Sequence, residues 1–406
     1  MCFDRLHYCL TNVFLMEKIQ LTIFDETLRD GEQQVGIFFD TEIKQTLAHL
    51  IVKTGVHHLA LMPAIHHTEA KLVKSLIDQG FRQSLVASSM MGESYIDESL
   101  QCGVGTIILF NAVSDRLLWL RDPEFREQTL ASQINLQALA KVRQRMLDKV
   151  LAHLKYAAAK GLKICFAAED ASRADRDFLV ECITKFQPYI EHFLLCDTVG
   201  ILTPENTKFW LRDLIELTGN KTPLAVHFHN DRGLALENTI QAILAGAQGI
   251  SGTFGGIGER AGNVAIEQVL NGLKLRYGWQ VEGINYDAFA EVINYLNSNG
   301  FYAHAPYARE TLRCETGIHV DSLLRDRDTY YLFPYGEPEI WFGKFSGASN
   351  FQYLFEKKLR QSLPKTKYQE FRETIKNISI EQKRSFSEDE VLPLLEISPN
   401  SRDLLQ

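Results

Sequence analysis

The sequence predicts an α/β fold in which eight strands alternate with helices, followed by a mainly helical C-terminal extension. Three observations carry this expectation. Eight short apolar runs recur between longer segments of helical spacing over residues 19–285. Glycines stand where the intervening helices should stop, at Gly55, Gly80, Gly161, Gly219 and Gly246, as C-terminal caps do. Beyond residue 285 the alternation fades and helical spacing takes over. Eight such units fit a closed (β/α)8 barrel or a doubly wound sheet. No GxGxxG follows the first strand, which speaks against a dinucleotide-binding version of the sheet.

Taken in order, residues 1–18 interrupt an apolar stretch with Asp4, Arg5 and His7 and so lack the pattern of a secretory leader. They read as a loose arm, or as an overlong start with the true start at Met16. The predicted strands are 21–24, 58–61, 85–88, 106–110, 162–167, 192–196, 224–227 and 249–252. The helices between them fall at 42–54, 70–79, 125–160, 176–186, 204–218 and 235–245. In the extension, 287–299, 352–358, 368–376 and 387–395 have helical spacing, and 303–347 is rich in turns. The expected organisation is an arm (1–18), a strand–helix domain (19–285) and one or two small helical subdomains (286–406).

Composition narrows the function classes. Lys+Arg 43 against Asp+Glu 51 gives a net charge of −8 over 406 residues, and 45% of residues are hydrophobic. That is a foldable chain with ample core. Without a run of Lys/Arg it is not a general binder of nucleic acid or anionic membrane, and no apolar stretch is long enough to span a bilayer. Cys2, Cys9, Cys102, Cys165, Cys182, Cys196 and Cys314 show no CxxC pair. They read as reduced thiols of a cytoplasmic protein.

Three blocks carry chemistry. The first strand ends in Asp25-Glu26-Thr27-Leu28-Arg29-Asp30-Gly31-Glu32-Gln33, and so many ionisable groups after a buried strand are costly unless paired. In a (β/α)8 barrel that end of each strand is the active-site face; otherwise the block is a charged solvent loop. The seventh strand ends in His227-Phe228-His229-Asn230-Asp231. Residues i and i+2 of a strand face one side, so His227 and His229 present two imidazoles to one point, as a divalent metal needs. Asp30 is the best candidate for an oxygen ligand from another strand end. After the eighth strand, Thr253-Phe254-Gly255-Gly256-Ile257-Gly258-Glu259-Arg260-Ala261-Gly262-Asn263 makes a loop whose backbone can approach a ligand closely.

DETLRDGEQ, HFHND and GGIGERAGN, in this order, resemble the metal-dependent (β/α)8 acyltransferases and lyases that include 2-isopropylmalate, homocitrate and citramalate synthases. Asp197-Thr198-Val199-Gly200 and Glu315-Thr316-Gly317-Ile318-His319 extend the resemblance, which runs from residue 19 to about 350. It implies a TIM barrel, a place in amino-acid biosynthesis and a homodimer. It also implies that Asp30, His227, His229 and Asn263 hold Mg, Mn or Zn. Arg29 would stabilise the alkoxide formed from a 2-oxo group and Thr198 would bind the substrate carboxylate. Gln33, Glu169 and Glu259 would complete the site. The glycine loop, with Gly256, Gly258 and Arg260, would lie along acetyl-CoA. His319, with Tyr330 or Tyr331, would act near the acetyl methyl, delivered from this chain or a neighbouring subunit. The implied reaction joins acetyl-CoA to a 2-oxo acid, giving a 2-substituted malate and CoA. Homocitrate or citramalate synthesis, and the lyase branch of the superfamily, are the alternatives, and a barrel retained only for binding is a third. Many isopropylmalate synthases carry a further regulatory domain; the chain ends at Gln406, so feedback inhibition by leucine is not expected.

The resemblance also singles out pocket positions where this sequence departs from its relatives. Ala60 stands where they usually have Glu. Ser88 and Ile108 stand where homocitrate synthases carry His and Asp, and Cys165 and Ala167 replace an Arg and a Ser. Together the changes remove charge and bulk. The second carboxylate of 2-oxoglutarate would be buried unpaired, whereas burying an alkyl or phenyl group would contribute about 1.5–3 kcal/mol. A hydrophobic 2-oxo acid is therefore expected, 2-oxoisovalerate by default, or phenylpyruvate to give 2-benzylmalate.

Overall fold

The computed structural model describes residues 16–126, 135–331 and 336–397; most of the arm and part of the predicted 125–160 helix lie outside them. A short strand β1 (Glu17–Ile19) precedes β2 (Thr22–Asp25), α1 (Thr41–Lys53), β3 (His58–Leu61), α2 (His67–Asp78) and β4 (Leu85–Ser89). Next come α3 (Glu93–Gln101), β5 (Thr106–Ala112), α4 (Asp115–Arg121), α5 (Leu136–Ala159), β6 (Lys163–Glu169) and α6 (Arg176–Phe186). Then follow β7 (His192–Asp197), α7 (Pro204–Thr218), β8 (Leu224–Phe228), α8 (Ala235–Ala245), β9 (Gly249–Gly252), α9 (Ile266–Tyr277) and β10 (Trp279–Val281).

Strands β2 to β9 close in sequence order into one parallel barrel. Thr22 of β2 pairs with Gly249 of β9 to seal it, so the doubly wound alternative is excluded and the chain is a TIM barrel. All eight predicted strands are barrel strands. β1 and β10 pair in parallel outside the barrel. Capping explains why the helices start and stop where they do. Asp40, Ser114, Asp175 and Thr203 accept backbone hydrogen bonds at the starts of α1, α4, α6 and α7. Gly219 and Gly246 end α7 and α8 at φ 64° and 114°, which other residues adopt at a cost.

Three barrel helices, α3, α4 and α9, escaped the sequence reading, the first two for a physical reason. In α4 the buried residues Leu117, Leu118, Trp119 and Leu120 are consecutive, so no helical period is visible. In α3 only Ile96 and Ser99 are buried, so the apolar signal is nearly absent. The predicted 125–160 helix starts instead at Leu136, capped by the Asn135 side chain.

Phe24, Ala60, Val86, Ile108, Cys165, Leu194 and Ala225 fill the barrel interior. The main apolar cluster lies between strands and helices and continues to Leu296, because α10 (Phe289–Ser298) packs onto it. A second cluster begins at Cys314. It is built by β11 (Arg313–Cys314), α11 (Gly317–Leu323), β12 (Glu339–Ile340), α12 (Ala348–Gln352), α13 (Lys365–Gln382) and α14 (Glu388–Ile397). At its centre Phe355 stacks on Phe371 with ring centroids 5.2 Å apart.

A closed quartet of buried charges joins this C-terminal unit to the barrel. Lys44 of α1 lies 2.7 Å from Glu32 and 2.8 Å from Glu69, and Lys344 lies 3.0 Å and 2.5 Å from the same two carboxylates. Two cations against two anions leave no net buried charge, the condition under which such groups can be withdrawn from water.

Candidate active site and metal centre

At the C-terminal end of the barrel a cavity of about 670 Å³ is floored by strand residues and covered by α11 and α13. Asp30, His227 and His229 meet on its wall, all buried, with their ligand atoms within 4.8 Å of one another. Local backbone pairing sets this up. His229 and Asn263 face each other across an antiparallel bridge, fixed by Asn230 N donating to Gly262 O and Val264 N to Phe228 O. The Nδ1 of His227 lies 3.0 Å from Ser251 Oγ, which turns Nε2 toward Nε2 of His229 at 3.3 Å. The same Nε2 is 3.6 Å from an Asp30 oxygen.

The donor set suits a divalent cation. Burial pushes both imidazoles below their ordinary pKa, so their lone pairs are free at neutral pH. Burial would raise Asp30, but Arg29 and the two histidines hold its carboxyl well below the usual range. Asn263 donates from Nδ2 to Asp30 at 2.8 Å, while its Oδ1 is buried without a partner. Two nitrogen acceptors, a carboxylate and an orphaned amide oxygen around one point are what a metal would satisfy.

Beside this cluster Arg29 lines the cavity, with Nε 2.7 Å from Glu26 and Nη1 3.1 Å from Asp30 and 3.3 Å from Gln33 Oε1. Thr198 lines it as well; its hydroxyl accepts from Asp170 N at 2.8 Å. His319 of α11 reaches in from the same chain, with Nε2 3.1 Å from Glu259 and Nδ1 3.7 Å from Glu169. Burial would raise both carboxyls, yet each is held below its ordinary value. His319 does this for Glu259, and Arg121 does it for Glu169. Arg121 grips Glu169 with two bonds of 2.6 and 2.8 Å and also reaches Ser322 of α11. Thr316 donates to the second Glu259 oxygen at 2.5 Å.

Ser88, Ile108 and Ala167 line the cavity, but other residues named from the sequence do not. Gly256, Gly258 and Arg260 do not line it; the glycine loop is buried behind the metal cluster. A Cβ at Gly258 would sit 2.2 Å from Asn263 Nδ2 and 2.7 Å from Asp30 Oδ1, so this glycine makes room for the ligand pair. Arg260 turns away from the cavity, pairing with Asp231 at 2.7 Å and lying 4.3 Å from the Tyr330 ring centroid. Tyr330 is buried behind His319, the rings stacked at 4.4 Å; it supports the imidazole and does not face the cavity. Ala60 lies in the interior layer beneath the floor, and Met62, two residues on, lines the cavity instead.

Sequence reasoning missed Arg121, whose helix has no readable period. It also missed Thr316, although this residue sits within the quoted ETGIH block. Arg372 and Lys376 at the outer end of the cavity were invisible because nothing in the sequence says which helix covers the barrel.

The HMGL-like family model matches residues 20–295. Homocitrate synthase AksA of Methanothermobacter thermautotrophicus is 32% identical over 77% of this chain and 77% of its own length. The 2-isopropylmalate synthase of Sulfurisphaera tokodaii is 30% identical over 84% of this chain and 87% of its own. Among solved structures, the HMG-CoA lyase of Bacillus subtilis superposes with a TM-score of 0.55 at 17% identity. It covers 72% of this chain and 97% of that one, which is a likeness of fold. The barrel, its cluster of two histidines and an aspartate, and these matches agree that the chain belongs to the HMGL-like family.

Proposed function

We propose that the protein condenses acetyl-CoA with a hydrophobic 2-oxo acid to give a 2-substituted malate and CoA. The reading draws on the synthases it resembles. The observation that carries its substrate half is the cavity floor, where Ile108, Phe110, Ala167 and Leu194 present apolar surface. The polar groups beside them, Ser88 and Cys196, are uncharged. A second carboxylate on the substrate would meet no cation there.

A divalent metal held by Asp30, His227, His229 and Asn263 would supply Lewis acidity toward the keto and carboxylate oxygens of the 2-oxo acid. Arg29 presents its guanidinium beside that point and stabilises negative charge gathering on the keto oxygen. The Thr198 hydroxyl donates to the substrate carboxylate. His319, flanked by Glu259 and Glu169, takes a proton from the acetyl methyl. The methyl carbon then bonds to the keto carbon, and the keto oxygen, once protonated, becomes the hydroxyl. Water cleaves the thioester, releasing CoA as the thiol and leaving a second carboxylate.

Thiol release from acetyl-CoA, followed across 2-oxoglutarate, pyruvate, 2-oxoisovalerate, 4-methyl-2-oxopentanoate and phenylpyruvate, tests both halves. The expected result is release with the apolar acids and little with the first two. Preference for 2-oxoglutarate or pyruvate overturns the substrate class. No release with any acid overturns the condensation itself.

A further inference from the structure

We propose that the outer end of the cavity, where His66, His67, Arg372 and Lys376 converge, binds the phosphate groups of coenzyme A. This rests on the acetyl-CoA reading above and deepens it by saying where the cosubstrate's charge is held.

The cavity is one continuous space from Asp30, His227 and His229 inside to these four residues outside. Its charges are unevenly distributed. In the inner part the carboxylates of Glu26, Asp30, Glu169 and Glu259 outnumber the single guanidinium of Arg29, while the outer end holds two imidazoles, a guanidinium and an ammonium against the single carboxylate of Glu373. A ligand with a neutral reactive end and a polyanionic tail fits that gradient in one direction only, with the tail outward.

Lys376 is the telling residue. It is only 8% exposed, yet among the described residues no carboxylate pairs with it; its ammonium donates to the Ile65 carbonyl at 3.2 Å. Arg372 stands one turn earlier on the same face of α13. Burial first, and then Arg372, pull the Lys376 pKa below its ordinary value. This is a cation held where a counter-ion is wanted. Arg372 is bound to its neighbour Glu373, an exposed pair that a phosphate can replace at little cost. His66 is half-buried, its Nδ1 2.9 Å from Thr68 Oγ1. The glycine loop cannot take this role, because Gly256 and Gly258 lie buried behind the metal cluster.

The test uses calorimetric titration of the full chain with CoA, 3′-dephospho-CoA, pantetheine and inorganic phosphate. The unaltered protein and an Arg372→Ala/Lys376→Met double variant are compared. Binding of Mn2+ by both checks that the fold and the inner site are intact, and a Lys376→Arg variant keeps the charge. Removing a charge-assisted hydrogen bond to phosphate should weaken CoA binding by about tenfold or more. The expected result is tighter binding of CoA than of pantetheine by the unaltered protein, lost in the double variant and retained in Lys376→Arg. The KM for acetyl-CoA should rise in the double variant while kcat and the KM for the 2-oxo acid stay put. Equal CoA binding by the unaltered protein and the double variant overturns the proposal. So does inorganic phosphate that binds as tightly as CoA, which marks a free-phosphate site. If the unaltered protein binds neither CoA nor pantetheine, the acyl-CoA reading itself falls, and the two failures are thereby told apart.

Discussion

Asn263 donates to Asp30 across the barrel mouth at 2.8 Å, yet the oxygen of the same amide is buried with nothing to accept. An unsatisfied buried acceptor costs about 1–3 kcal/mol, and a cation beside His227 and His229 removes that cost. Replacing His229 with Ala should therefore weaken divalent-metal binding by at least the roughly 10–100-fold that loss of a supporting partner alone causes. Turnover should fall with it. Titration with Mn2+ reads the first effect; full activity of the variant in chelator would sink the metal assignment.

Gly258 tests the same centre from behind. Its φ of 152° and the 2.2 Å approach of a would-be Cβ to Asn263 Nδ2 leave no room for a side chain. Gly258→Ala should displace Asn263 from Asp30 and lower metal affinity, whereas Gly36→Ala, with open space around its Cβ position, should not. Equal metal affinity in the two variants would show that the loop does not shape the site.

His319 stands between two carboxylates, 3.1 Å from Glu259 and 3.7 Å from Glu169. A proton-transfer group so placed contributes on the order of 10²–10⁴-fold. His319→Ala should lower kcat by that order while leaving Mn2+ affinity unchanged, since the imidazole is not among the ligand atoms. A loss confined to KM for the 2-oxo acid would recast His319 as a binding group.

How much of this was legible in the sequence follows from what each feature depends on. Most of the eight strands were readable as apolar runs ended by polar residues, and His227 and His229 because strand spacing fixes where they point; Asp30 could be picked only as the best oxygen ligand at another strand end. Ala60 was misplaced by one layer: strand period gives the inward face but not the depth, and β4 Ser88, which pairs with Ile108, lies a full repeat above the Ala60–Val86 level. Arg260 has the look of a ligand-binding residue in sequence; only the fold reveals Asp231 as its partner. The cover of the cavity was illegible, since the docking of α11 and α13 depends on long-range contacts.

The quartet that fastens that cover predicts an acid sensitivity. Burial would raise Glu69, but Lys44 and Lys344 outweigh it and bring its pKa from 4.5 down to about 2. A depressed folded pKa contributes stability that is complete above the unfolded value and is lost as pH falls through the folded one. Stability should thus hold down to about pH 4.5 and fall between there and about 2. Lys344→Met leaves an uncompensated buried carboxylate and should cost about 3–5 kcal/mol, with Glu69→Gln/Lys344→Met recovering part of it. Urea unfolding at pH 7 and across the acid range measures both; a single variant as stable as the parent would mean the quartet is not closed in solution.

Ile108 belongs both to the barrel interior and to the cavity lining, directly beside Cys165 of β6, so shortening it opens space under the substrate without touching a charged group. Ile108→Ala should cost stability by about 2–5 kcal/mol, the range for truncating a buried aliphatic side chain. It should also shift preference toward bulkier acids. A single missing methylene in an apolar pocket is worth about 1–3 kcal/mol in discrimination, or roughly 10–200-fold, and this substitution removes three carbons. The ratio of kcat/KM for phenylpyruvate to that for 2-oxoisovalerate should rise accordingly, while the KM for acetyl-CoA stays constant. If the ratio is unmoved although the variant folds and binds metal, the side chain of the 2-oxo acid does not rest on this floor, and the apolar lining is core rather than specificity.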